Sequence, residues 1–131
     1  MAYLKPPFFV RRVFNPLAMR FEIAGSRTLV VRRRGTGEIQ RIPVIPVEHD
    51  GARYLVSARG ESDWVRNLRA AGEAELRGRR ATEEFRAMEV PVAERAPILA
   101  AYQTEAGKTV ESYFKTLPDP ADHPVFLIES R

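Results

Sequence analysis

Cysteine is absent from the 131 residues, which excludes disulfides, thiolate zinc sites and cysteine nucleophiles together. Imidazole is almost as scarce, with His49 and His123 the only histidines. His49 stands in the turn signal His49-Asp50-Gly51 and His123 precedes Pro124, so both read as exposed turn residues and not as metal ligands. Neither a Ser/His/Asp arrangement nor a catalytic pair of carboxylates emerges, and hydrolytic chemistry has no visible apparatus. No apolar run approaches the ~18 residues that span a bilayer. Lys5, Arg11, Arg12 and Arg20 interrupt the N-terminal segment, which does not read as a secretory signal; a cytoplasmic location is expected.

What is present suffices for one core. Hydrophobic residues make up 44% of the chain, enough for a single domain over residues 1–131. The balance of 21 basic against 17 acidic residues, a net charge of +4, points weakly to an anionic partner. Where the positive charge lies matters more than its sum.

Residues 1–24 read as a helical arm. Phe8, Phe9, Val13 and Phe14 fall near helical spacing, and Asn15-Pro16 supplies an N-cap and a first-turn proline. Phenylalanines interleaved with arginines also suit a peripheral membrane contact, a lid or a self-association element. Thr28 to Val31 is a first strand, and Arg34-Gly35-Thr36-Gly37-Glu38 has the glycines of a hairpin. Ile39 to Val47 alternates as a second strand, with Pro43 and Pro46 marking an edge or a bulge. After the Asp50-Gly51 turn, Ala52 to Ala58 forms a third.

Ser62 is placed to cap a helix over Asp63 to Ala71, with Trp64, Leu68 and Ala71 on one face and Gly72 as the stop. Glu73 to Arg79 and Thr82 to Val90 form a hairpin with Ala74, Leu76, Phe85, Ala87 and Val90 inward. Helical stretches follow over Pro91 to about Ala106 and Lys108 to Leu117, and Pro124 to Ile128 closes the chain as a buried strand. About six antiparallel strands, with a helix after the third and a C-terminal helical excursion, fit a mainly β (α+β) barrel better than a doubly wound sheet.

Several features bear on chemistry. Gly35-x-Gly37 lacks the third glycine of a dinucleotide fingerprint and runs into a strand, not a helix. Arg32, Arg33, Arg34 and Arg41 flank this hairpin, either as a solvated edge or as an anion site offering bidentate forks to phosphate. The loop Ser57 to Ser62 joins a strand to a helix, so its backbone N–H groups can hold an anion or a carbonyl-rich ring. Trp64 reads first as a core anchor and second as a ligand platform, and Tyr102 and Tyr113 first as core residues and second as proton donors. The arginines lack the interleaved aromatics that nucleic-acid stacking requires.

The arm motif Phe14-Asn15-Pro16-Leu17, the hairpin Arg33-Arg34-Gly35-Thr36-Gly37 with Arg41, Pro43 and Val44, and the helix Trp64-Val65-Arg66-Asn67-Leu68-Arg69-Ala70 occur in one order. In motif and spacing they resemble the deazaflavin-dependent nitroreductase and quinone reductase family, and His123-Pro124-Val125-Phe126-Leu127-Ile128 is similar to its last strand. The resemblance implies a split β-barrel related to flavin-binding oxidases, holding coenzyme F-420 rather than FMN between barrel and helix. It further implies that the basic hairpin (Arg33, Arg34, Thr36, Gly37, with Arg41) meets the phosphate. Pro43 and Val44 would lie beside the ring, Ser57, Ala58, Arg59 and Gly60 would meet its polar edge, and Trp64 and Asn67 would pack beneath it. Gly35 and Gln40 stand where relatives commonly carry basic residues.

The implied reaction is hydride transfer from the reduced deazaflavin to an electron-poor quinone, enone or nitroaromatic, with Tyr102 or Tyr113 protonating the acceptor. The partner is thus a small molecule, not nucleic acid, and the assembly a monomer or homodimer. The rival reading is a carrier without catalysis, binding an apolar ligand with an acidic head, such as a fatty acid, in the same groove.

Overall fold

In a computed structural model, residues 25–131 are described; the expected arm over residues 1–24, with its Phe14-Asn15-Pro16-Leu17 motif, lies outside them. Among the described residues seven strands and three α-helices follow in order: β1 (Arg27–Arg32), β2 (Ile39–Val44), β3 (Val47–His49), β4 (Ala52–Val56), α1 (Asp63–Ala71), β5 (Glu73–Arg77), β6 (Thr82–Glu89), α2 (Ala96–Ala106), α3 (Lys108–Thr116) and β7 (Val125–Ser130). The expected second strand is in fact two. Alternation continues from Ile39 to Val47, but Pro46 cannot donate to a ladder, and the chain leaves one neighbour at Val44 and joins another at Val47.

That break determines the shape of the sheet. The antiparallel strands lie in the order β2-β1-β5-β6-β7-β4-β3, so β2 and β3 are its two opposite edges. Only Ile45 and Pro46 connect them, and the three steps from Val44 to Val47 span at most ~11 Å. The sheet therefore curls until its edges nearly meet, as a half-closed barrel. Pro43 sits in an edge strand, where a missing N–H costs least. Asp50 and Gly51, with φ of 50° and 79°, form the two-residue turn with left-handed central residues that joins β3 to β4.

Period-two alternation divides the core. Leu29, Val31, Leu55, Leu76, Phe85, Phe126 and Ile128 form one cluster with Val65 and Leu68 of α1, and Ala74 and Ala87 pack against it. Val47, Val56, Val90 and Val125 join Ile98, Leu99 and Tyr102 of α2 and Val110 of α3 in a second. Strand β7 alternates between the two clusters, and a strand covered on both faces reads as a continuous apolar run.

Three expectations about side chains are corrected. His123 is not an exposed turn residue: it is fully buried, because Pro124 leads directly into β7 and holds the preceding residue at the rim of the core. Ser62 occupies the N-cap of α1 with extended backbone angles but makes no capping bond; its hydroxyl lies 3.5 Å from that of Ser57. The buried face of α1 is Val65, Asn67 and Leu68, whereas Ala71 is exposed at the last turn.

A chain of charges ties the loop before α1 to the end of β6. Arg69 donates to both carboxylate oxygens of buried Glu61 at 2.8 and 3.0 Å and to both of Glu89 at 2.7 and 2.8 Å. Glu89 also pairs with Arg95 at 3.3 Å, and Arg95 donates to the Val90 carbonyl at 2.9 Å. The hydrogen bond from Arg69 holds the Glu61 carboxyl below its ordinary 4.5. A lowered value means stability that is full above the unfolded-state value and is lost as pH falls through the folded one. Replacing Glu61 by Gln is expected to cost ~2 kcal/mol at neutral pH. Urea titrations of both proteins should show that difference closing as pH falls below 4.5.

Candidate functional site

The hairpin between β1 and β2 is closed by Arg33 N–H donating to the Glu38 carbonyl at 2.7 Å and Gly37 N–H to the Arg33 carbonyl at 3.0 Å. Gly37, at φ 77°, takes the left-handed conformation the return requires. Thr36 Oγ1 accepts from Glu38 N–H at 3.1 Å, and Arg32 donates to the Gly37 carbonyl at 2.9 Å. Thr36 and Gly37 thus shape the turn.

Arg33 and Arg34 converge on one carboxylate, that of Asp63 in the first turn of α1. Arg33 Nη1 lies 3.3 Å from Oδ2 and Arg34 Nη1 3.0 Å from Oδ1, with all three side chains close to half exposed. Behind them Asn67, 1% exposed, makes the structural link. Its Oδ1 accepts from the Arg34 guanidinium at 2.7 Å and from Arg34 N–H at 3.1 Å, while its Nδ2 donates to Gln40 Oε1 at 2.7 Å. Every polar atom of the Asn67 amide is committed to joining helix, hairpin and strand.

Arg41 does not join this group. It pairs in register with Val30, whereas Gln40 pairs with Val31, so alternation sends Arg41 to the face opposite Gln40 and Asn67. Pro43 pairs with Thr28 on that same opposite face, and Val44 packs on the α1 side of the core. Trp64 packs against Phe126, ring centroids 6.2 Å apart, as a half-buried extension of the core.

The loop preceding α1 brings a second group together. Ser57 Oγ donates to the Gly60 carbonyl at 2.6 Å, and Ser57 N–H to the Pro124 carbonyl at 3.0 Å. Ala58 and Arg59 follow, half-buried, and their N–H groups meet no acceptor among the described residues. The Arg59 guanidinium lies over the Tyr113 ring, 5.1 Å from its centroid, a cation–π contact. Tyr102 is buried, and burial pushes its hydroxyl up to about 12, opposed by the charge of Arg59 and assisted by Tyr113. The structure therefore gathers Arg59, Tyr102 and Tyr113.

Grooves of about 490 and 470 Å3 open elsewhere, one along α2 and α3 at Gln103, Lys108 and Phe114, the other at Tyr54, Met88, Ile98 and Leu127. Neither is lined by an expected cofactor residue. Among the described residues no group of His, Asp or Glu is arranged to hold a metal ion, and no helix is long and apolar enough to cross a membrane.

Sequence reasoning missed Gln40 and Asp63, the acceptors that order Asn67 and the arginines. A polar residue at an inward position of β2 was the available signal for Gln40, since a buried amide requires a partner.

Two expectations follow. Asn67→Ala leaves Gln40 and the Arg34 N–H unanswered and should cost ~2–3 kcal/mol in denaturant titrations. Tyr102, raised from 10 to about 12, contributes stability that is full below the unfolded value near 10 and is lost as pH rises through about 12. Alkaline unfolding monitored by tyrosinate absorbance should therefore start at higher pH in Tyr102→Phe than in the unmodified chain.

Comparison with known proteins gives the relatives of this fold. A solved F420-H2 dependent reductase, FDR-A, superposes with a TM-score of 0.61 at 19% identity, covering 81% of this chain and 95% of that one. A structure described as a domain-swapped dimer gives 0.62 at 16% identity, covering 92% and 94%. The heme storage protein HutZ from Vibrio cholerae gives 0.58 at 11% identity, covering 84% of each chain. At these identities the likeness establishes the split-barrel fold. No match is found among curated protein sequences. The model of the F420H(2)-dependent quinone reductase family matches residues 8–116, most of the chain, and the protein therefore belongs to that family, whose cofactor is coenzyme F-420.

Proposed function

We propose that the chain is a reductase that uses reduced coenzyme F-420 to reduce a small electron-poor acceptor of the quinone, enone or nitroaromatic class. The observation that carries this reading is the convergence of Arg33 and Arg34 on the Asp63 carboxylate, beside a loop with two N–H groups that meet no acceptor among the described residues. The residues fit the group. Each guanidinium contacts Asp63 through Nη1 alone, so further N–H donors remain for a phosphate. The N–H groups of Ala58 and Arg59 suit a ring edge that carries carbonyl oxygens.

When bound in its reduced form, coenzyme F-420 supplies the hydride. Arg33 and Arg34 hold the anionic tail, with Asp63 and Asn67 keeping their forks convergent. Thr36 and Gly37 hold the turn that presents them, while Val44 and Trp64 wall the ring, Ser57 and Gly60 frame its polar edge, and Pro43 faces away on the other side of the sheet. Arg41, on the other face of the sheet, adds long-range positive potential only. Tyr113, half-buried beneath Arg59, donates the proton that the reduced acceptor takes up, and Tyr102 backs it from the core. Burial pushes the Tyr102 phenol up, which keeps its proton in place at neutral pH. A cytoplasmic monomer or homodimer suits this chemistry, and the domain-swapped dimer among similar structures is a precedent for the second.

Fluorescence titration with coenzyme F-420 should show micromolar binding. Arg33→Gln with Arg34→Gln should weaken it about a hundredfold, and added salt should weaken the parent more than the double variant. Absence of binding, together with uptake of a fatty acid, would overturn this reading in favour of the carrier. In turnover, Tyr113→Phe should lower kcat more than Tyr102→Phe; full activity in both variants would remove the proton-donor role.

A further inference from the structure

The histidine that opens the last-strand motif has so far been given no role in the site. His123 is wholly buried, its ring stacked on Phe114 with centroids 4.1 Å apart and planes within 14°. Nδ1 stands 2.9 Å from the Ser57 carbonyl oxygen, and Nε2 2.6 Å from that of Leu117. A carbonyl oxygen only accepts, so each contact is a hydrogen bond when the nitrogen carries a hydrogen.

The Ser57 carbonyl shares a peptide unit with the Ala58 N–H. The described chain contains no cis peptide, and in a trans unit the C=O and N–H point in opposite directions. A hydrogen bond that fixes the carbonyl toward His123 therefore aims the Ala58 N–H away from it. Ser57 is held on its other side by the Pro124 carbonyl, so two successive residues ahead of β7 clamp one residue after β4. Ala58 N–H meets no acceptor among the described residues, and a half-buried donor of this kind is costly unless a ligand or water answers it.

We propose that His123 is a positioning residue: its Nδ1–H, on the Ser57 carbonyl, presents the Ala58 N–H to a carbonyl on the polar edge of the cofactor ring. The role rests on the coenzyme F-420 reading above, but the tether can be read in the free protein. Three substitutions separate the contacts. Asparagine places an amide N–H near Nδ1, glutamine reaches toward Nε2, and phenylalanine keeps only the stack on Phe114.

All three variants should lose thermal stability, so stability alone does not discriminate. In 15N relaxation of the free protein, the Ala58 amide should stay ordered in His123→Asn and become mobile in His123→Gln and His123→Phe. With the coenzyme, Gln and Phe should raise its KM about tenfold, the loss of one hydrogen bond, with kcat little changed, and Asn should restore it to within about twofold. If the parent binds the coenzyme but the Asn and Gln variants behave alike at Ala58 and in KM, the role of His123 is overturned alone. If the Ala58 contrast appears but the parent binds no coenzyme, the cofactor role and the reading beneath it are overturned together.

Discussion

Two residues, Ile45 and Pro46, join the opposite edges of a seven-stranded sheet, and the rest of the molecule depends on that short connection. It brings β2 and β3 close enough that the sheet must curl. Curling gives the strands an inner face, which α1 fills with Val65 and Leu68, and an outer face, which α2 and α3 cover from one side. A longer link would permit a flatter sheet with two solvent-facing edges and no reason for α1 to lie against the β1–β2 hairpin. The site follows from this closure, because the first turn of α1 must come beside that hairpin for Asp63 and Asn67 to meet Arg33 and Arg34.

The polar side chains inside this frame are chosen for satisfaction more than for charge. Gln40 and Asn67 are both buried and bonded to each other, and among the described residues no buried side-chain nitrogen or oxygen lacks a partner. Each such pair adds little net stability but penalises any arrangement that separates its members. The Glu61–Arg69–Glu89–Arg95 chain does the same on the far side of α1. The helix is thus pinned along two sides, and its first turn, where the arginines converge, has little freedom to drift.

Much of the barrel was legible in the sequence because local pattern and global fold agree. Alternation located the strands, Gly72 at φ 74° stops α1 as its residue type predicts, and the apolar run before Glu129 marked a strand covered on both faces. What escaped depended on distant partners. Ile39 to Val47 alternates without interruption, so its period could not reveal that the chain changes neighbours at Pro46. His123 before Pro124 has the local signature of a turn, and only the arrival of Ser57 and Leu117 around it turns that position into a core. Within the site, the arginine-rich hairpin was visible, but the division that leaves Arg41 on the other face from Arg34 required knowing which of β2's faces meets α1.

On the proposed function, the pairing of Arg33 and Arg34 with Asp63 also governs what the site ignores. A carboxylate tethered beside two guanidiniums competes with any free anion at an effective concentration of roughly millimolar. Inorganic phosphate, chloride or a lone carboxylic acid must exceed that internal competitor and has nothing further to offer. In the proposed mode of binding, a ligand that joins an anionic tail to a flat ring gains at the Ala58–Arg59 loop as well, so its second contact is intramolecular. On the proposed function, the acid inside the basic corner thereby acts as a filter, admitting long two-ended molecules and discounting the small ions that surround the protein.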